Sequence, residues 1–327
     1  MAKAYLDQIR STLDSITIAE IERLIEARED SALSEILTLD LFVALMELIR
    51  SGYMAGGKAE ASSVPRSLGK TELDVNAQPA QSWLAEHIAG LKAQMALDQV
   101  DGINVTVASG LQAGRSPRQI ALDLAGRVSK QTGRRTGGTV GLPGNFAQYV
   151  ADARTQLRSG DAEQLRKYLT RTRRDKRFDA IVKRAMAAGK PVAQADADRI
   201  AGRYANRLLQ THAEMIARTE ALESFGAGRD RVYEQLVERG LPREAITKDW
   251  DTRRDEKVRN SHAGMQGQTR ALGEPFSTNS GALLRFPGDR ALGAGYDETA
   301  SCRCQARYTI KANYARRDAG NLRGAIR

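Results

Sequence analysis

The sequence predicts a mainly α fold: an elongated helical body followed by a small α+β C-terminal domain. Three observations carry this. Apolar residues recur at helical spacing through most of the chain before Gly240. Aromatic residues are only 5% of the chain, too few for an all-β sandwich or barrel built on aromatic strands. Past Gly240 the long periodicity stops, and short apolar pieces alternate with glycine and proline.

Residues 1–57 read as an N-terminal helical segment. Thr17-Ile18-Ala19-Glu20 has the form of a capping box, and Ile18, Ile21, Leu24 and Ile25 follow as an apolar stripe. A second stripe runs through Leu33, Ile36, Leu37, Leu41, Ala44, Leu45 and Leu48, and Gly52, Gly56 and Gly57 are expected to end it. Residues 58–81, rich in Ser, Pro, Gly and charge, read as a linker. Residues 82–240 form a basic helical body. It opens on the seam Leu84, Ile88, Leu91 and Met95 and restarts at the capping box Ser116-Pro117-Arg118-Gln119. Gly133–Gly144, with five glycines and Pro143, reads as a loop. Helices are then expected over Phe146–Leu157, Ala162–Ala188 and Ala193–Arg239, with Gly240 as the stop. Residues 241–310 are the small α+β domain, with strand candidates at Ala245–Trp250, Leu283–Phe286 and Gln305–Ile310. Residues 311–327 are a basic tail.

The net charge is +10, and it is unevenly placed. Residues 1–50 carry five Lys/Arg against ten Asp/Glu, whereas residues 111–190 carry eighteen against six. A basic middle favours contact with a polyanion, and an acidic beginning suits a different, protein partner. Arg166–Arg177 holds seven Lys/Arg in twelve positions. Arg171, Arg173, Arg174, Lys176 and Arg177 are therefore candidates for sequence-independent phosphate contact with duplex DNA; the competing reading is a solvated helix face paired with Asp175, Asp179 and Glu163.

Two cysteines in 327 residues exclude a disulfide scaffold and suggest a reducing compartment. The N-terminus shows no apolar segment of the signal-peptide kind, and Ile36–Ile49 is too short to span a bilayer, so no membrane association is expected. The chain lacks a Walker A loop, H-E-x-x-H, an EF-hand loop and G-x-S-x-G. What remains for chemistry is a C-terminal constellation of Asp255, Arg259, His262, Cys302 and Cys304. The first three, at i, i+4 and i+7, would share a helix face. One imidazole and two thiols could hold a metal with Asp255 or Glu298 as fourth ligand, but a lone C-x-C is a weak signature. We read the five as a structural cluster, with no metal, no cofactor and no catalytic residue assigned. His87 and His212 read as structural, and Trp83 and Trp250 as core anchors.

One ordered set of short motifs goes further: Ile216-Ala217-Arg218-Thr219-Glu220, Trp250, Asp255, Val258-Arg259, His262, Met265-x-Gly267, Phe276, Pro287-Gly288-Asp289 and Glu298 with Cys302-Arg303-Cys304. In order and spacing it resembles the phage Mu protein F-like minor head proteins, the phage head morphogenesis family. Gln266 stands where that pattern commonly has an acidic residue, and Thr299-Ala300-Ser301 where it commonly has Thr-Ile-Asn. The resemblance implies a minor structural protein of a tailed-phage head, inside the virion or at its portal vertex and in the host cytoplasm during assembly. Portal protein, major capsid protein and packaged double-stranded DNA are the implied partners. The alternative is a metal-dependent nuclease or other DNA-processing enzyme using His262, Cys302 and Cys304.

Overall fold

The computed structural model describes residues 1–37, 42–129 and 132–317. The α-helices are Ala2–Ser15 (α1), Ile18–Glu26 (α2), Asp30–Leu37 (α3), Phe42–Ala61 (α4), Gln78–Gln112 (α5), Pro117–Ala125 (α6), Gly144–Arg158 (α7), Ala162–Thr170 (α8), Asp179–Ala187 (α9) and Gln194–Glu238 (α10). Three short ones follow: Asn260–Ala263 (α11), Tyr296–Thr299 (α12) and Ala312–Arg317 (α13). The strands are Arg127–Val128 (β1), Arg135–Thr136 (β2), Ile246–Asp251 (β3), Thr269–Ala271 (β4), Phe276–Ser277 (β5), Leu283–Leu284 (β6) and Gln305–Ile310 (β7). The fold is mainly α with a small α+β region at the C-terminal end, as the periodicity predicts. Among the described residues no helix is long and apolar enough to cross a membrane. Leu41 and residues 318–327 of the basic tail lie outside the described residues.

The chain forms two compact units. A helical unit comprises Ala2–Phe42 and Ala89–Glu214, and a mixed unit comprises Met1, Val43–Ile88 and Met215–Arg327. In the helical unit, α6 is held by both halves of the Ser116–Gln119 capping box, and Thr17 caps α2 by accepting the Glu20 N–H. Its core gathers Leu142, Val150, Leu157, Leu165, Tyr168, Val182, Ile200 and Leu208. The glycine-rich stretch expected as a loop is packed into this unit. Val140 and Leu142 are buried, and the Tyr5 hydroxyl donates to Gly141 O at 2.6 Å.

In the mixed unit, β3 is the central strand of an antiparallel sheet ordered β4–β3–β7. Alternation along β3 turns Ile246, Lys248 and Trp250 inward. A second core joins Val64, Leu68, Val232, Tyr233, Leu236, Ile246 and Leu272. The segment 62–77, expected as a linker, is packed here: Val64 and Leu68 are buried, and Gln235 Oε1 accepts the Asp74 N–H at 3.0 Å.

Three glycines expected to end the second stripe do not end it. Helix α4 continues through Gly52, Gly56 and Gly57 to Ala61, so residues 58–61 are helical rather than linker. The reason is tertiary. A Cβ on Gly56 would stand 2.0 Å from Phe225 O, and one on Gly228 would stand 1.9 Å from Tyr53 O. Helices α4 and α10 touch backbone to backbone, which only glycine permits. Gly228→Ala therefore destabilises the protein: overpacking of about 1–3 kcal/mol outweighs the ~1 kcal/mol gain in helix propensity. Gly90→Ala is the control, since a Cβ there meets nothing within 4 Å and only the propensity gain remains. Opposite shifts in the denaturation midpoint are expected, and parallel shifts would refute the close approach.

Candidate functional site

The residues singled out at the C-terminal end come together, though not on the predicted helix face. Only Asn260–Ala263 is helical; Asp255 lies in a turn outside it, and Arg259 caps its start. The turns of residues 252–259, with Arg254 at φ 54°, replace the expected helix. Asp255 and His262 nevertheless reach the Cys302–Cys304 segment, and Arg259 the residues just before it. Asp255 pairs with Arg303 at 2.7 Å. Arg259 Nε donates to Asp297 O at 2.6 Å, and its Nη2 donates to Ala300 O. His262 Nδ1 lies 3.5 Å from Cys302 Sγ and 3.7 Å from Cys304 Sγ.

His262 is buried, as are both thiols. Its other nitrogen, Nε2, stands 3.0 Å from Glu298 Oε2, angled as an ion-pair contact rather than a hydrogen bond. Glu298 also accepts from Ser261 Oγ at 2.7 Å and from Ser280 Oγ. Burial pushes the Glu298 pKa up, but the hydrogen bonds from Ser280 and Ser261, with His262 beside it, outweigh that and leave it lowered. A hydrogen bond from Cys304 favours the Cys302 thiolate and lowers its pKa, and the same pairing raises that of Cys304. Trp250 sets edge-on to His262 at 5.3 Å. These residues can orient one another, share protons or hold a soft cation.

A second polar assembly uses residues that sequence reading passed over. Glu220 belongs to the ordered motif, whereas nothing in the sequence pairs it with Glu223, Arg290 or His87. Arg290 Nη2 donates to Glu220 Oε1 at 2.8 Å, and its Nε donates to Glu223 Oε2 at 2.7 Å. His87 Nε2 lies 2.7 Å from Glu220 Oε2 and Nδ1 3.6 Å from Glu223 Oε1. Trp83 stacks on the His87 ring at 4.6 Å and on Tyr53 at 5.0 Å. Burial raises the Glu223 pKa against the opposing pull of Arg290 and His87. Other motif residues join by their backbones. Ser301 N–H donates to Thr219 Oγ1 at 3.0 Å, and Gly288, at φ 94°, brings its turn against Leu222 and Glu223. Ser301 itself sits at φ 53°, the left-handed region that asparagine tolerates better than most side chains.

The basic run does not lie on a continuous helix. The helix expected over Ala162–Ala188 breaks after Thr170, and Lys176–Phe178 is a short 3₁₀ turn before α9. The break follows from local caps: Asp175 Oδ1 accepts the Arg177 N–H, and Arg174 pairs with Asp179 through two hydrogen bonds of 2.9 Å. Arg171 donates to Gln156 and lies over the Tyr204 ring, Arg173 donates to Thr211, and Arg177 pairs with Asp175 at 2.6 Å. Lys176 is exposed and makes no side-chain hydrogen bond or ion pair among the described residues. Arg177 also faces a cleft of about 650 Å³ in the helical unit, lined as well by Arg10, Arg134, Arg135, Arg203 and Arg207. The mixed unit has its own cleft of about 660 Å³, lined by Arg229, Arg253, Arg254, Arg303 and Arg307. Arg253 and Arg254 have no side-chain hydrogen bond or ion pair among the described residues. Sequence reading missed both arginine groups because their members are far apart along the chain.

Comparison with protein-family models, with curated proteins and with solved structures finds no match to this chain.

Proposed function

We propose that this chain is a minor structural protein of a tailed-phage head, associated with the portal or capsid interior and with packaged DNA, where it assists head morphogenesis or genome delivery. The observation that carries the reading is the ordered motif from Ile216 to Cys304 together with what its members do. They hold one another: Thr219 with Ser301, Arg259 with residues 297 and 300, Asp255 with Arg303, and Glu298 with His262. Polar residues spent on mutual anchoring fit a scaffold. A metal-dependent nuclease would need clustered carboxylates on its metal ions. Here Asp255 is engaged by Arg303, and Glu298 faces the imidazole nitrogen remote from the thiols.

The arginine clefts and the exposed Arg173, Lys176 and Arg177 supply the phosphate contacts that packaged DNA requires, without base readout. The acidic first fifty residues suit portal or capsid protein. Mass spectrometry of nuclease-treated particles made from the encoding genome tests the role: the chain is expected among the virion proteins, and its absence refutes the reading. DNA contact has its own test. Duplex affinity should fall with salt at a log–log slope of about −0.9 per neutralised phosphate, whatever the sequence. Replacing Arg173, Lys176 and Arg177 by glutamine should flatten that slope by up to about 3 × 0.9. An unchanged slope would assign these residues to protein contact or plain solvation.

A further inference from the structure

We propose that His262 Nδ1, Cys302 Sγ and Cys304 Sγ bind one zinc ion in the C-terminal module. The inference goes beyond the head-protein reading and does not depend on it. It also departs from the sequence-based assignment, which left the cluster without a metal because C-x-C and one histidine, forty residues apart, is a weak signature.

Geometry is the first argument. Zinc bound tetrahedrally by sulfur at ~2.3 Å and nitrogen at ~2.0 Å sets sulfur and nitrogen about 3.5 Å apart. The two separations here are 3.5 and 3.7 Å, and all three donor atoms lie within 4.8 Å of one another. Both sulfur–nitrogen separations match an edge of a zinc tetrahedron.

In the tautomer that carries its proton on Nε2, 3.0 Å from Glu298, Nδ1 offers a single in-plane lone pair. Two sulfurs crowd it, and it can accept a hydrogen from one. Thiols are weak donors, so hydrogen bonding alone gives little reason to bury all three atoms face to face. A cation uses every lone pair at once.

The surroundings fit as well. A carboxylate on the far nitrogen of a metal-bound histidine fixes its tautomer and orientation. Glu298 occupies that place and is itself held by Ser261 and Ser280. Two thiolates and an imidazole select zinc over magnesium or calcium, whose ligands are oxygens. The Arg259 bonds to Asp297 O and Ala300 O fix the segment that carries the sulfurs. Three protein ligands leave the fourth position to water, and Cys304 lines the arginine cleft of this unit.

The test uses the full chain, purified under reducing conditions without a metal-affinity step. Elemental analysis should find zinc in a 1:1 ratio to protein. Cys302 and Cys304, the two cysteines of the chain, should resist a thiol reagent until a chelator is added. Cobalt exchanged for zinc should give a thiolate-to-metal charge-transfer band, which oxygen ligands would not. Glu298→Gln should weaken zinc affinity by about 10–100-fold while leaving the cobalt spectrum sulfur-ligated, the behaviour of a positioning residue. Cys302→Ser should abolish stoichiometric binding; if that variant fails to fold, thiol protection in the unaltered protein still decides. Thiols that react equally with and without added zinc, a Cys302–Cys304 disulfide in the reduced preparation, or zinc retained by a folded His262→Ala or Cys302→Ser variant would overturn the proposal.

Discussion

Replacing Arg290 with methionine is expected to lower the unfolding free energy by about 3–5 kcal/mol. Glu220 and Glu223 are 1% and 3% exposed, and Arg290 is the guanidinium that spans them. Its removal leaves two neighbouring carboxylates out of water with His87 and the backbone N–H of residue 290 beside them. The pH dependence has a definite sign. Burial already raises the Glu223 pKa, and without Arg290 it rises further above the unfolded value. The native variant then binds more protons than its unfolded chain, so its deficit grows as pH rises and shrinks as pH falls. Adding Glu220→Gln and Glu223→Gln to the variant should restore most of the loss, because the uncompensated charges are gone. Urea denaturation of the three proteins across pH checks this. A single-variant loss under about 1 kcal/mol would mean that water reaches the carboxylates and that the assembly contributes no more than a surface pair.

Acid destabilisation through His212 should be nearly as large. The ring is buried against the edges of Tyr5 and Phe146 at 5.9 and 5.8 Å, and its Nδ1 has no hydrogen-bond partner among the described residues. Burial pushes its pKa down to about 4. An unfolded histidine titrates near 6.5, so between about pH 6.5 and 4 the unfolded chain holds a proton that the native one does not. Stability linked to this group is complete above pH 6.5 and is lost as pH falls toward 4, by about 3 kcal/mol in all. His212→Gln should flatten that limb of the stability–pH curve, whatever its effect at neutral pH. Parallel curves for the two proteins would place the acid sensitivity elsewhere.

Local chemistry was legible wherever it acts within a few residues. The Ser116–Gln119 box, the Thr17 cap, the stop near Gly240 and the three strand candidates all correspond to observed elements. Each depends on side chains reaching their own backbone or on a period shorter than a window of residues. The same reasoning failed at Gly52, Gly56 and Gly57. Glycine breaks a helix in isolation and permits contact when another backbone lies 2.0 Å from where its Cβ would be. It failed again at Arg171–Arg177, where Asp175 and Asp179 draw the arginines into a turn instead of leaving them on a helix face.

The candidate site divides the same way. Sequence by itself determined which residue types were available at the C-terminal end: one histidine, two thiols, an arginine and carboxylates in a loop-rich stretch with a thin core. It also determined the mainly α class, because helical periodicity is a property of neighbouring positions. Tertiary structure alone decided that Asp255 and His262 meet Cys302–Cys304, and Arg259 the residues just before it, through turns rather than along one helix face. It alone decided that Arg290 and His87, distant along the chain, meet the buried Glu220–Glu223 pair, and that scattered arginines line two clefts. The physical reason is range. Caps and periods are set by contacts between residues close in sequence, whereas burial, charge compensation and ligand geometry depend on which distant segments pack together.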